Sequence, residues 1–122
     1  MTRPPPPLQM FWLRRIRLLR AQRRWRQLLD EHEQLRQNLS ELAQQAEAQQ
    51  VAGIRCLRHA QAGASNYAIV MRRASAHHTQ AASLANQVEV LSMQLDQMAR
   101  HLRSARTTLE KAKRLLEETS PR

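Results

Sequence analysis

Cysteine, glycine and aromatic residues are scarce in this 122-residue chain, and each scarcity excludes a class of protein. The single cysteine, Cys56, cannot form a disulfide within the chain, which excludes a disulfide-stapled secreted scaffold and fits a reducing compartment. Two glycines and four aromatic residues are too few for the tight turns and bulky cores of a sandwich or a doubly wound sheet. No apolar run approaches the roughly 20 residues of a membrane span, and no continuous apolar segment suggests a secretory signal. We therefore expect a cytoplasmic protein.

The motifs of catalysis and of metal binding are also missing. The sequence contains no G-x-x-x-x-G-K-[ST] loop and no G-x-S-x-G elbow. Its five histidines and one cysteine lack the short paired spacings of a zinc site. We expect no enzymatic activity, no cofactor and no metal, with Cys56 acting as a small packed side chain.

Leu, Ala, Gln and Arg dominate the composition, which favours helices. Apolar residues recur at alternating steps of four and three, the 3.5-residue period along which paired helices pack. We call these positions the seam. In the C-terminal half they are Leu84, Val88, Leu91, Leu95, Met98, Leu102, Ala105, Leu109, Ala112 and Leu116. The N-terminal half follows the same steps less regularly, with three polar residues among its positions, which are Phe11, Arg14, Leu18, Ala21, Trp25, Leu28, His32, Leu35, Leu39, Leu42, Ala46, Gln49, Gly53, Cys56 and Ala60. Between the halves the period continues through Gly63, Tyr67, Val70, Ala74, His77 and Ala81.

A reversal of the chain is predicted where glycine and two good helix N-caps follow one another, at residues 63–66. The pattern predicts an all-α fold, a long antiparallel two-helix coiled-coil hairpin in which residue i faces about residue 129 − i. Its parts are a Pro-rich extended leader (1–7), a first arm (8–62), the turn (63–66), a second arm (67–118) and a C-terminal tail (119–122). Because the period continues in phase through the turn, a dimer of unbroken helices is the alternative.

Basic residues concentrate at the two ends of the sequence. Residues 1–26 contain eight arginines and no acid, and residues 100–122 contain seven bases and three acids. A hairpin brings these segments together with a combined charge of +12, whereas residues 27–99 sum to −2. This asymmetry predicts an acidic partner at the open end of the hairpin.

The chain opens with an Arg- and Leu-rich helix, FWLRRIRLLR at residues 11–20, continues through Gln-rich heptads and returns as a second heptad helix. This pattern resembles the type III secretion stalk proteins of the YscO-type family, which are related to flagellar FliJ. The resemblance is one of pattern and size and covers residues 8–118. It implies a non-catalytic stalk or adaptor that couples the export ATPase to the export gate.

By this resemblance, the open end of the hairpin enters the hexameric export ATPase ring, and the turn end approaches the export-gate ring or an escorted chaperone. Membrane association would then occur only through these partners, at the cytoplasmic face of the inner membrane. The implied ATPase-ring contacts are Arg14, Arg17, Arg20, Arg24, Lys111, Lys113 and Arg114. The implied tip contacts are Ile54, Leu57, Tyr67, Ile69 and Val70.

Nucleic-acid binding is the alternative function. The basic helix of residues 14–26 is followed by Leu28, Leu35 and Leu42 at intervals of seven, which partly imitates a basic region joined to a leucine zipper. Clustered arginines are sufficient for non-specific affinity for phosphates.

Attachment to a membrane surface is a third possibility, through a cationic interfacial helix at residues 11–29. Its apolar side would include Phe11, Trp12, Ile16 and Leu19. The seam also requires Phe11, together with Leu18 and Trp25, so the two uses compete for the same residues.

Overall fold

The computed structural model describes residues 6–63 and 66–119. It contains two long helices, α1 (Pro6–Gln61) and α2 (Tyr67–Thr119), which pack against each other as a hairpin. No strand occurs among the described residues. The predicted all-α two-helix hairpin is therefore confirmed. Its register is also close to the predicted one, because Arg14 contacts Leu115, the residue that the prediction places opposite it.

Both helices extend slightly beyond their predicted outer bounds. The predicted extended leader included Pro6 and Pro7, but α1 begins at Pro6. Proline suits this place because the first helical turn needs no backbone N–H and accepts the fixed φ of proline. At the other end, the predicted tail begins at Thr119, but this residue belongs to α2, where its hydroxyl donates to the Leu115 carbonyl at 3.0 Å. The rest of the predicted leader and tail, 1–5 and 120–122, lies outside the described residues.

The chain reverses at the predicted turn. Gly63 has a φ of +85°, a left-handed conformation that glycine adopts without a steric penalty. Its N–H donates to the Ala60 carbonyl at 3.2 Å, one of the two hydrogen bonds of a Schellman ending. On the other side, the Val70 N–H donates to the Asn66 carbonyl at 3.0 Å, as the first bond of a helix does to its N-cap. Local turn chemistry thus ends α1 and starts α2.

Contacts divide the chain into two compact units. We call residues 1–33 and 96–122 the terminal unit, and residues 34–95 the turn unit. The described residues that are buried all occupy seam positions, which confirms the seam as the core of each unit. They are Leu28, Leu109 and Ala112 in the terminal unit, and Gly53, Ala60, Val70, Ala74 and Leu84 in the turn unit.

Small seam residues bring the helices of the turn unit close together. A Cβ added to Gly53 would lie 3.4 Å from the Cβ of His77 and 3.7 Å from the Ala74 carbonyl oxygen. Beside this approach, the His77 Nδ1 lies 2.7 Å from the Gln49 Oε1, so two polar seam residues form a hydrogen bond across the helices. This contact satisfies polar groups that would otherwise be desolvated on an apolar seam.

Two adjacent leucines provide a test of the seam. Leu28→Ala should lower the free energy of unfolding by about 2–3 kcal/mol, because it removes packed atoms and leaves a cavity. Leu28 is only 2% exposed, whereas Leu29 is 41% exposed. Leu29→Ala is therefore the matched control and should change stability by less than about 0.5 kcal/mol. Urea unfolding followed by circular dichroism measures the stability of both variants. Equal losses in the free energy of unfolding would contradict the assigned seam.

Gly53 tests the close approach of the helices. Gly53→Ala should stabilise the protein by up to about 1 kcal/mol, because alanine favours a helix and its Cβ fits at 3.4 Å from His77. Gly53→Leu should instead destabilise it by about 1–3 kcal/mol, since the longer side chain overpacks the interface. Thermal melting of the two variants gives opposite shifts if the helices are this close. A higher melting temperature in both variants would show that the space beside Gly53 is open.

Candidate functional site

A groove between α1 and α2 in the terminal unit has cationic side chains on both of its walls. We call it the basic groove; its volume is about 470 Å³. None of its lining residues is acidic, and the seam residues Ala21 and Ala112 form an apolar floor. The groove can therefore receive a negatively charged segment that also has apolar side chains. The lining residues are Arg14, Arg17, Arg20 and Ala21 of α1, and Thr108, Lys111, Ala112 and Leu115 of α2.

Arg14 also links the two helices of this unit. It is half-buried, and its Nη1 donates to the backbone carbonyl of Leu115 at 2.7 Å. The last turn of α2 contains Glu117 and Glu118 but no basic residue, which is unfavourable at the negative end of the helix dipole. Arg14 supplies the complementary positive charge from α1. This residue, predicted as a ring contact, therefore contributes to the fold as well.

The predicted ring contacts do not all line one surface. Arg24 lines a second groove of about 320 Å³ that shares Ala21 and Thr108 with the basic groove. Lys113 and Arg114 line neither groove. All the predicted ring contacts except Arg14 are exposed, namely Arg17, Arg20, Arg24, Lys111, Lys113 and Arg114.

The acidic residue Glu110, which precedes Lys111 in the sequence, is paired within its own helix. Glu110 accepts a hydrogen bond from the Arg106 Nε at 3.2 Å, one turn before it along α2. The side chains of this pair are 70% and 55% exposed, so solvent weakens their attraction and the pair adds little stability. Neither Glu110 nor Arg106 lines the basic groove.

The predicted tip contacts fall into three groups. Ile54 and Leu57 are 44% and 42% exposed and line a groove of about 340 Å³ in the turn unit. Tyr67 and Ile69 are exposed but do not line it. Val70 is only 8% exposed, because the seam period places it against α1. Val70 is therefore a core residue, and its assignment to the tip surface is corrected.

Some groove residues had not been singled out from the sequence. Leu115 and Thr108 line the basic groove, and Met71 and His78 line the groove of the turn unit. Each lies directly beside a seam residue in the sequence, as Leu115 does beside Leu116. Positions that flank a heptad seam form the walls between paired helices, and this is the signal that could have identified them.

No family model, curated protein or solved structure matches this chain. Neither described helix is long and apolar enough to cross a bilayer. Within residues 6–63 and 66–119, no three His, Cys, Asp or Glu side chains are grouped as a metal site would require. Cys56 is a free, half-buried thiol on the seam.

The structural part played by Arg14 can be tested against its neighbour. Arg14→Ala should lower the free energy of unfolding by about 1–2 kcal/mol, because it removes a charged hydrogen bond to the Leu115 carbonyl. Arg17→Ala changes the same groove and the same charge at an exposed position, so it should stay within about 0.5 kcal/mol. Urea is the suitable denaturant because it does not screen charge. Indistinguishable midpoints would show that Arg14 does not join the helices.

Proposed function

We propose that this protein is a non-catalytic coiled-coil stalk or adaptor of a type III secretion system, and that its terminal unit binds the export ATPase ring. The proposal takes the partner from the resemblance of the sequence to the YscO-type family. The observation that carries it is the basic groove, where Arg17 and Arg20 of α1 and Lys111 of α2 converge without an acidic residue. The hairpin of two long helices supports it as well.

The basic groove suits an acidic protein segment. Arginine guanidinium groups hold carboxylates with two parallel hydrogen bonds, and exposed arginines also speed the encounter with an acidic surface. The apolar floor at Ala21 and Ala112 adds contact with the aliphatic part of a bound segment. Because α1 and α2 each contribute cations, the complete groove forms only in the folded hairpin. Binding would therefore depend on the fold as well as on charge.

In this proposal the turn unit contacts the export-gate ring or an escorted chaperone. Ile54 and Leu57 would form the contact, since both are exposed and line an apolar groove with Met71. Tyr67 and Ile69, at 58% and 49% exposed, would extend this surface. The protein would then act in the cytoplasm, at the cytoplasmic face of the inner membrane.

Charge reversal tests the proposed docking surface. The quadruple variant Arg17→Glu, Arg20→Glu, Arg24→Glu and Lys111→Glu should abolish binding to the hexameric export ATPase and stimulation of its ATP hydrolysis. Arg14 is left intact to preserve the fold. The matched control reverses four exposed arginines of the turn unit, Arg55, Arg58, Arg72 and Arg73, and changes the net charge equally. The control should keep full stimulation, and circular dichroism should show unchanged helicity in both.

Two results would contradict the proposal. Full stimulation by the terminal-unit variant would show that the basic groove is not the docking surface. The second result is a wild-type protein that neither binds the ATPase nor stimulates it, but binds duplex DNA with a strong dependence on salt. This would favour the alternative of a nucleic-acid-binding protein. Affinity for DNA alone does not separate the two, because clustered arginines bind phosphate in either case.

A further inference from the structure

In the terminal unit, α1 has a second exposed surface that the basic groove does not use. Leu8, Trp12, Ile16 and Leu19 follow one another at steps of four, four and three, which places them on one side of the helix. Their exposed fractions are 42%, 52%, 43% and 54%. We call these four residues the outer face. Large apolar side chains that are exposed together on one side of a helix, and not scattered singly, indicate an interaction site.

The outer face is separate from the seam. Phe11, Leu18 and Trp25 are half-buried at seam positions, whereas Trp12 and Leu19 are exposed. From the sequence, the seam and a membrane-facing surface were expected to compete for the same residues. The structure assigns them to different residues, so the outer face is available while the hairpin stays closed.

Cations adjoin the outer face. Residues 8–29 contain seven arginines and no acid. The guanidinium carbon of Arg15 lies 5.8 Å from the centre of the Trp12 ring, within the range of a cation–π contact. Arg23 follows Leu19 by one turn and continues the same side of α1. The outer face therefore combines apolar side chains, an indole and positive charge.

We propose that the outer face binds directly to the surface of an anionic lipid bilayer. Apolar side chains on a cationic helix enter the boundary between headgroups and acyl chains, and tryptophan favours the same depth. Arg15 and Arg23 would meet the anionic headgroups. This binding needs no partner protein, unlike the expected association through partners alone, and it does not depend on the proposed role in secretion.

Charge and apolar contact favour a bilayer over two other occupants of the outer face. A second copy of this chain on the outer face would bring two acid-free arginine segments together, which is repulsive. A nucleic acid offers phosphates to the arginines, but its backbone offers no apolar layer for Leu8, Ile16 and Leu19. An anionic bilayer supplies both the negative charge and the apolar layer.

Trp12 is a built-in reporter of this binding. In a Trp25→Phe background it is the remaining tryptophan. Its emission should shift to shorter wavelength on addition of vesicles of phosphatidylcholine and phosphatidylglycerol in equal parts, because the indole leaves water. Vesicles of phosphatidylcholine alone should produce a much smaller shift, since they lack the negative charge. Circular dichroism without vesicles verifies that the background variant retains the hairpin.

Substitutions separate apolar insertion from charge. Ile16→Gln with Leu19→Gln should lower partitioning into the anionic vesicles by about tenfold or more in a sedimentation assay, while all cations are retained. The matched control is Val90→Gln with Met93→Gln, which changes two exposed apolar residues of the turn unit, 54% and 68% exposed. It should leave partitioning unchanged.

Three outcomes would overturn the proposal. Undiminished binding by the Ile16→Gln, Leu19→Gln variant would mean that charge alone holds the protein at the vesicle. An equal loss of partitioning in the Val90→Gln, Met93→Gln control would show that the outer face is not the surface that binds the vesicle. A Trp12 emission shift produced by duplex DNA or by an acidic helical peptide, but not by anionic vesicles, would assign the outer face to that other partner. None of these readouts uses the ATPase, so they fail or succeed independently of the proposed function.

Discussion

Packing along a 3.5-residue seam is the constraint on which the rest of this structure depends. Each helix can bury only one narrow side, because a two-helix hairpin has no second layer to cover the others. Among the residues that the structure describes, those that are buried lie on that side, such as Leu28 in the terminal unit and Leu84 in the turn unit. Apart from Arg14, the described arginines and lysines are all exposed, so a chain with a net charge of +10 folds while these cations remain hydrated. A narrow core also explains why the surfaces between the helices are open grooves.

The polar seam residues show how one register is selected. In a seam of repeated Leu and Ala, a slip of seven residues would preserve most apolar contacts. It would break the hydrogen bond of Arg14 to the Leu115 carbonyl in the terminal unit, and that of His77 to Gln49 in the turn unit. Such losses are costly because they leave desolvated polar groups unpaired. The register in turn decides which cations of α2 face Arg17 and Arg20, so the basic groove depends on it.

Most of the fold could be predicted from the sequence, because periodicity and turn chemistry are local signals. Gly63 was recognisable as a helix terminator, and the steps of four and three identified the seam. The residues that line the grooves were harder to predict from the sequence. Arg14 carries the charge of a surface residue but lies at a seam position, and its hydrogen bond to the Leu115 carbonyl shows that it joins the two helices. The sequence placed Val70 both on the seam and among the predicted tip contacts. Because Val70 is buried in the structure, it is a core residue.

The features that folding does not require are the most informative about function. Leu8, Trp12, Ile16 and Leu19 could be polar without any change in the seam, since the buried contacts of the terminal unit involve other residues. The same holds for the exposed cations at Arg17, Arg20 and Lys111. Exposed apolar side chains are unfavourable in water, and clustered like charges repel each other. The terminal unit carries both of these costs, the apolar residues on one side of α1 and the cations along the groove between α1 and α2. Neither cost is needed to close the seam, and this is why the two surfaces carry the proposals made above.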